Sequence, residues 1–265
     1  MSEWGRDAIE TLEFVTRSPC RIRILETLRD GDPVSRDTLQ DEVDVVRTTL
    51  QRNLTGLIER GLIRERDRRY EITPAGSLAA AGVSTALERV GAADRLRPVL
   101  ERLPATEFGF DIERLVDATV IEATTANPYA PVNYHADSLT DVDHVRMLLP
   151  ATGANSLESS RGSIDAGATF DVIATTSVAE TLQTEPSVAD EFATIADDDG
   201  VSLSVVEDEI SFFLGVIDDA VQIGVHNDSG MPTALLETTD DDVREWAIDR
   251  FEAIKRRSTP IGDYG

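Results

Sequence analysis

Residues 45–73 constrain the fold of this chain more than any other stretch. Val46, Leu50, Leu54, Leu57 and Ile58 follow the i, i+4, i+8, i+11, i+12 spacing of one helix face. The other side of the N-terminal turns carries Arg47, Thr48, Gln51 and Arg52, with Thr49 beside them. These are side chains of the kind that read base edges and phosphates in a major groove. Gly61 supplies a left-handed stop. Two short strands follow, 62–66 and 69–73, around a tight turn at Asp67 and Arg68, so that Arg64, Arg66, Arg68 and Arg69 stud one small hairpin. Upstream, 20–29 reads as an amphipathic helix with Ile22, Leu25 and Leu28 on one side. Gly31, Asp32 and Pro33 break it. Ser35 is placed to N-cap a short helix that begins at Arg36, ends near Glu42 and turns Leu39 and Val43 inward. A brief turn then leads into the helix at Val45, which is helix-turn-helix order followed by a wing. A structural helix and hairpin with a solvated arginine face is the bland alternative; the ordered combination of pieces favours a DNA contact through Ser35, Arg36 and the residues of helix and hairpin.

Charge supports the same division. The 265 residues carry a formal net charge of −25, with 24 Arg against one Lys, Lys255. High Asp and Glu with almost no Lys is the composition of a protein kept hydrated in concentrated salt, so a halophilic source is expected. The acidity is uneven: residues 1–75 carry a net of −2, residues 76–265 a net of −23, and residues 45–73 a local net of +3. One basic patch in a strongly acidic chain is the electrostatic footprint of a confined nucleic-acid contact. Cys20 stands alone, which excludes a disulfide framework and a thiolate metal cluster. His135, His144 and His226 have no metal-ligand spacing, and no signal peptide or long apolar run appears. A soluble, cytoplasmic protein without metal or cofactor is expected.

Residues 3–17 read as a first helix with Trp4, Ala8, Ile9, Leu12 and Val15 as its buried side. Pro74 can open a new helical region that runs to Leu103. Gly82, Gly91 and Pro98 interrupt it, so two or three pieces are expected before Pro104 ends it. A linking segment of this kind packs either against its twin in a homodimer or within its own chain. Beyond residue 107 strands and helices alternate: strands at 116–123, 144–149, 169–175 and 201–206, and helices at 129–139, 156–166 and 177–196. Short strands at 210–216, 220–225 and 233–237 and a final helix capped by Asp240 or Asp241 close the pattern. The βαβα order predicts a parallel sheet and the late meander an antiparallel part, hence a mixed sheet. The expected organisation is a DNA-binding domain over 1–75, linker or dimerisation helices over 76–104, and an α/β effector-sensing or dimerisation domain over 105–265.

With these elements in place, the chain resembles the haloarchaeal helix-turn-helix regulators whose C-terminal half is the domain of the methanogenesis and filament-formation regulator. The resemblance rests on Tyr70-Glu71-Ile72-Thr73-Pro74-Ala75-Gly76, Leu103-Pro104-Ala105-Thr106-Glu107-Phe108, Leu115-Val116-Asp117-Ala118-Thr119-Val120, Asn127-Pro128-Tyr129-Ala130-Pro131-Val132, Ala234-Leu235-Leu236-Glu237-Thr238 and Trp246-Ala247. It implies an α+β protein: an N-terminal winged helix-turn-helix, a helical linker and a C-terminal TrmB-like sensor domain with a phospholipase-D-like mixed sheet. The paired His-x-Lys motifs of phospholipase D enzymes are absent, which removes that catalytic route.

Open α/β sheets bind ligands beyond the carboxyl ends of their strands. There the sequence offers a polar rim, Thr125, Asn127, Thr152, Thr175 and Thr176, with Tyr129, Tyr134, His135 and Arg146 nearby. Such a rim suits a neutral or phosphorylated metabolite, whereas helix capping accounts for the same hydroxyls without a ligand. The expected function is a DNA-binding transcriptional regulator, acting as a homodimer on double-stranded DNA and modulated by a small effector. The alternative is an enzyme or nucleotide-binding protein with an accessory winged helix, against which stand the missing P-loop, G-x-S-x-G and G-x-G-x-x-G motifs.

Overall fold

The computed structural model describes residues 5–29, 31–103, 105–151, 154–196, 198–207, 209–228 and 230–264. The chain divides into two compact units, Met1–Gly91 and Ala92–Gly265.

The first unit contains α1 (Arg6–Thr16), α2 (Pro19–Thr27), β1 (Val34–Ser35), α3 (Arg36–Val43), α4 (Arg47–Glu59), β2 (Ile63–Arg66), β3 (Arg69–Ile72) and the first part of α5 (Pro74–Leu100). Ile24, Leu25, Leu28, Leu39, Leu50, Leu54 and Leu57 form a sealed core between the helices. The Ser35 hydroxyl accepts from the Thr38 amide and starts α3, and Asp44 at φ 45° ends it. The three strands pair antiparallel in the order β1-β3-β2. Asp67 and Arg68 form the hairpin turn at φ 52° and 61°, the left-handed pair whose twist matches the flanking strands. Gly61, at φ 66°, releases the chain from α4.

Three expectations in this unit need correction. Val46 is not on the buried face: it is the residue that precedes α4 and is 68% exposed, so the apolar stripe begins at Leu50. Of the predicted buried side of α1, only Val15 is buried; Ile9 and Leu12 are 58% and 45% exposed. Only the C-terminal end of α1 meets this core, and Trp4 lies outside the described residues. Finally, α5 runs unbroken from Pro74 to Leu100 instead of dividing into pieces. An interior glycine costs a helix only about 1 kcal/mol, and Pro98 falls in the last turn, where it forfeits a single hydrogen bond. Pro104, expected to end the region, is outside the described residues.

The second unit is built on an eight-stranded mixed sheet in the order β11-β7-β6-β5-β8-β9-β10-β4. The strands are β4 (Thr119–Glu122), β5 (His144–Leu149), β6 (Thr169–Thr175), β7 (Val201–Val206), β8 (Phe213–Ile217), β9 (Ala220–His226), β10 (Pro232–Thr238) and β11 (Thr259–Pro260). β5, β6 and β7 are parallel and the remaining pairs antiparallel, as the alternation and the late meander predict. Successive side chains alternate between faces. Leu148, Ile173, Leu214, Val216, Val221 and Ile223 therefore meet α10 (Asp241–Lys255) and the end of α5. Val145, Met147, Phe170 and Val172 meet the opposite layer of α6 (Ala130–Asp137), α7 (Ala154–Asp165), α8 (Thr176–Thr184) and α9 (Pro186–Ala196). Asp240 caps α10 by accepting from the amides of Asp242 and Val243. The helix expected over 177–196 is two helices, because Pro186 lacks the amide to continue α8 and holds Glu185 extended. The strand expected from residue 116 starts only at Thr119, after a 3-10 turn at Ile112–Leu115.

Candidate functional site

In the first unit the predicted contact residues share α4, its approach and the hairpin, but they are not equally available. Arg47, Arg52, Arg66 and Arg68 are exposed and have no hydrogen bond or ion pair among the described residues. Thr48 is exposed, and Gln51 donates along the helix to Thr55 Oγ1 at 3.2 Å. Thr49 is half-buried. Ser35 is occupied as the cap of α3 and in a 2.8 Å bond with Thr38 Oγ1, and Arg36 is half-buried beside it. Arg64 donates to Glu71 Oε1 at 2.6 Å. That bond holds the Glu71 carboxyl below its usual range and raises the guanidinium. Arg69 donates to the Pro33 carbonyl at 3.0 Å. Among the predicted contact residues, the unpaired arginines thus sit at the start of α4 and the tip of the hairpin.

Sequence reasoning missed a polar clamp at the back of α4. Asn53 is buried inside the helix and donates to the Thr49 carbonyl at 3.1 Å, while its oxygen accepts from Arg21 Nε at 2.9 Å. Arg21 also donates to the Phe14 carbonyl, and the guanidiniums of Arg21 and Arg60 lie 3.7 and 3.6 Å from the centre of the Phe14 ring. Burial, then the neighbouring cations, lower the Arg21 pKa. Gly56 makes this possible, since a Cβ there would stand 2.8 Å from Phe14 Cζ. The clamp fixes α4 on its buried side and leaves the arginine-bearing side free. Cys20 sits in the adjoining core; burial pushes its thiol up and away from reactivity.

The second unit has a partly open cavity of about 450 Å³ between the sheet and the α6, α7 and α9 layer. Of the predicted ligand residues that are described, Tyr129 and His135 alone line it. Thr125 and Asn127 lie in the turn after β4, where Asn127 pairs with Thr124 through both backbone bonds. β4 is the sheet edge, five strand positions from β6, or roughly 24 Å at the usual strand spacing. Thr175 caps α8 and Thr176 bonds the Tyr264 hydroxyl at 3.0 Å. Arg146 belongs to the α10 face of β5, opposite Met147 and the cavity. Thr152 lies outside the described residues. The rim is therefore not one site. The lining is instead mostly aliphatic and aromatic carbon, drawn from strands and helices far apart in sequence.

Behind His135 stands a hydrogen-bonded network that the sequence did not announce. His135 Nδ1 lies 2.8 Å from Gln222 Oε1, and Gln222 Nε2 donates to Ser138 Oγ at 2.9 Å and Glu237 Oε2 at 2.8 Å. Tyr134 donates to Glu237 Oε1 at 2.6 Å. That bond, with burial, pushes its phenol up to about 12. Gln222 is fully buried, and the His135 ring stands edge-on to Phe213 at 4.6 Å between centroids. Burial lowers the His135 pKa from 6.5. Among the described residues, no group of three or more His, Cys, Asp or Glu is placed to hold a metal ion. Nor is any helix there long and apolar enough to cross a membrane.

One unit thus presents exposed arginines on α4 and its hairpin, and the other holds a mostly apolar cavity. Residues 9–95 match the HVO_A0261 N-terminal domain, and residues 128–257 match the middle domain of the methanogenesis regulatory protein FilR1. The chain belongs with the regulators built from these two domains. Similar solved structures include the archaeal chromatin protein TrmBL2, at 12% identity and a TM-score of 0.42 over 96% of this chain and 99% of that one. A MarR family transcriptional regulator from Silicibacter pomeroyi matches at 22% identity and a TM-score of 0.29, over 35% of this chain and 67% of that one. The methyltransferase SibL matches at 16% identity and a TM-score of 0.26, over 75% and 62%. At these scores none of the three carries an argument about function. No curated protein matches the chain.

Proposed function

We propose that the chain is a transcriptional regulator of a halophilic archaeon, which binds double-stranded DNA in the cytoplasm through residues 1–75, read as a winged helix-turn-helix. The observation that carries this reading is the set of four unpaired arginines, Arg47, Arg52, Arg66 and Arg68, on the exposed side of α4 and at the hairpin tip. They form a basic patch in a chain of net charge −25. In this reading α4 enters the major groove with Arg47, Thr48, Gln51 and Arg52, and the hairpin lies along the backbone or minor groove. Arg64, Arg69, Ser35 and Arg36 act behind this front, holding the hairpin and α3 in place. Exposed Ile9 and Leu12 on α1 and Leu87 and Val90 on α5 favour a homodimer, with residues 76–104 as linker. Residues 105–265 are then the phospholipase-D-like effector domain, whose cavity takes a small molecule, and the protein is a binding protein rather than an enzyme.

The test is an electrophoretic shift in concentrated KCl, using the DNA upstream of the gene and random DNA as competitor, with the wild type beside the double variant Arg47→Ala, Arg52→Ala. A specific shift lost in the double variant is expected. Each lost bidentate arginine–guanine contact costs roughly 1–3 kcal/mol. Equal binding by the two proteins overturns the assignment of α4.

A further inference from the structure

We propose that the cavity of the second unit binds a small, largely apolar molecule carrying one hydroxyl-type donor, which His135 Nε2 accepts. This rests on the reading of that unit as the effector domain and names the chemistry of its effector.

The wall decides against a sugar or a phosphorylated metabolite. It is mostly apolar, with Met147, Leu149, Val172, Leu203, Phe213 and Leu235 among its carbon surfaces, and among the described residues no arginine or lysine lines it. Lys255 pairs with Asp171 on the α10 side of the sheet, and Arg146 shares that side. A phosphate here would have no cation. A sugar would leave most of its hydroxyls unmatched, and buried polar groups without partners are strongly disfavoured. Carbon-lined cavities take up apolar molecules because these restore dispersion contacts along the wall. At about 450 Å³ the space falls within the size range of small-molecule sites.

Ser156, Ser160, Tyr129 and His226 also reach the lining, but His135 is the polar group whose hydrogen-bonding sense the surrounding network fixes. Both amide hydrogens of Gln222 are used, on Ser138 and Glu237, so its oxygen faces His135 Nδ1 as an acceptor. His135 therefore carries its proton on Nδ1 and presents a lone pair at Nε2. Nε2 has no protein partner among the described residues, and His135, 9% exposed as a residue, lines the cavity. Tyr134 and Glu237 lock Gln222 from behind, and Phe213 fixes the ring plane. Burial keeps the imidazole neutral, which preserves the acceptor. The arrangement selects one donor on an otherwise apolar body, as in a phenol or a long-chain alcohol.

The experiment is calorimetric titration of the full chain in concentrated KCl with 1-naphthol, 1-methoxynaphthalene and glucose 6-phosphate. One naphthol should bind per chain, 1-methoxynaphthalene about five- to tenfold more weakly, and glucose 6-phosphate not at all. In His135→Phe the first two should bind alike, at the weaker level. Val132→Trp, which fills the cavity from α6, should abolish both. Should His135→Phe fail to fold, the ¹⁵N shifts of the wild-type imidazole replace it: naphthol should move Nε2 upfield and leave Nδ1 in place. Equal binding of naphthol and its methyl ether by wild type, displacement of naphthol by glucose 6-phosphate, or full naphthol binding by Val132→Trp overturns the proposal. The shift assay on the same preparations separates the two readings. Naphthol binding without DNA binding counts against the regulator, and DNA binding without naphthol binding against this effector alone.

Discussion

At the scale of single residues, the most demanding position is Gly76. A Cβ there would lie 1.8 Å from the Leu62 carbonyl oxygen and 2.8 Å from its carbon, so backbone must move to admit it. The close approach is held by Thr73, whose hydroxyl donates to the Gly61 carbonyl at 2.6 Å and accepts the Gly76 amide at 3.0 Å. Gly76→Ala should destabilise the first unit by at least about 3 kcal/mol, despite the better helix propensity of alanine. Urea unfolding followed by circular dichroism measures this, and a loss below about 1 kcal/mol would mean that α5 can shift without cost. His135 gives a second residue-level prediction. Its pKa is lowered by burial from 6.5, so the unfolded chain binds the proton more readily. Its contribution to stability is complete above the unfolded value and is lost as pH falls through about 6.5 toward the folded value. Tyr134, with its pKa at about 12, does not titrate in that window. The urea midpoint should therefore fall between about pH 7 and pH 5 more steeply in wild type than in His135→Gln. The sequence showed the Thr73-Pro74-Ala75-Gly76 run but not its reason, because the reason is the carbonyl of a residue 14 positions earlier.

At the scale of elements, legibility followed the range of the interaction. Local chemistry was readable: the Ser35 and Asp240 caps, the Gly61 stop and the Asp67–Arg68 turn each depend on neighbours within a few residues. The parallel and antiparallel parts of the sheet also followed from element order. The cavity and its network were hidden because Leu, Met and Phe read as core wherever they occur. His135, Gln222 and Glu237 lie on three elements joined only by the fold. α1 misled for the converse reason, since an amphipathic pattern records an apolar face without naming its partner. The hairpin provides the element-scale test. Arg68 holds φ 61°, a conformation that costs a non-glycine residue roughly 1 kcal/mol. Arg68→Gly should therefore stabilise the hairpin by about 0.5–1 kcal/mol while weakening DNA binding on all sequences alike. Arg66→Ala should leave stability unchanged and reduce the slope of log K against log salt by about 1. A specific loss on one operator sequence, with random DNA unaffected, would mean that the hairpin reads bases instead of backbone.

At the scale of the whole molecule, charge distinguishes the units more sharply than size does. Residues 1–91 carry 14 Arg against 16 Asp and Glu, whereas residues 92–265 carry 11 Arg and Lys against 34. The first unit is close to neutral and the second must hold nearly the entire excess of −25. A compact body of one sign is destabilised by self-repulsion unless salt screens it. Lowering KCl from about 1 M to about 0.01 M lengthens the screening distance from about 3 to about 30 Å. Carboxylates across the second unit then begin to act on one another, while the balanced first unit gains attraction and repulsion together. Hydrogen exchange followed by mass spectrometry resolves this by segment. Protection in β5 to β10 should decline as KCl is removed, and protection in α2 to α4 should hold over the same range. The same change strengthens the attraction of the Arg47, Arg52, Arg66 and Arg68 patch for phosphate. DNA affinity should therefore rise with dilution of salt while the effector domain loosens, and opposite trends in one titration identify two independent electrostatic regimes. Parallel loss of protection in both units would show instead that concentrated salt supports this chain through hydration or hydrophobic burial common to both halves.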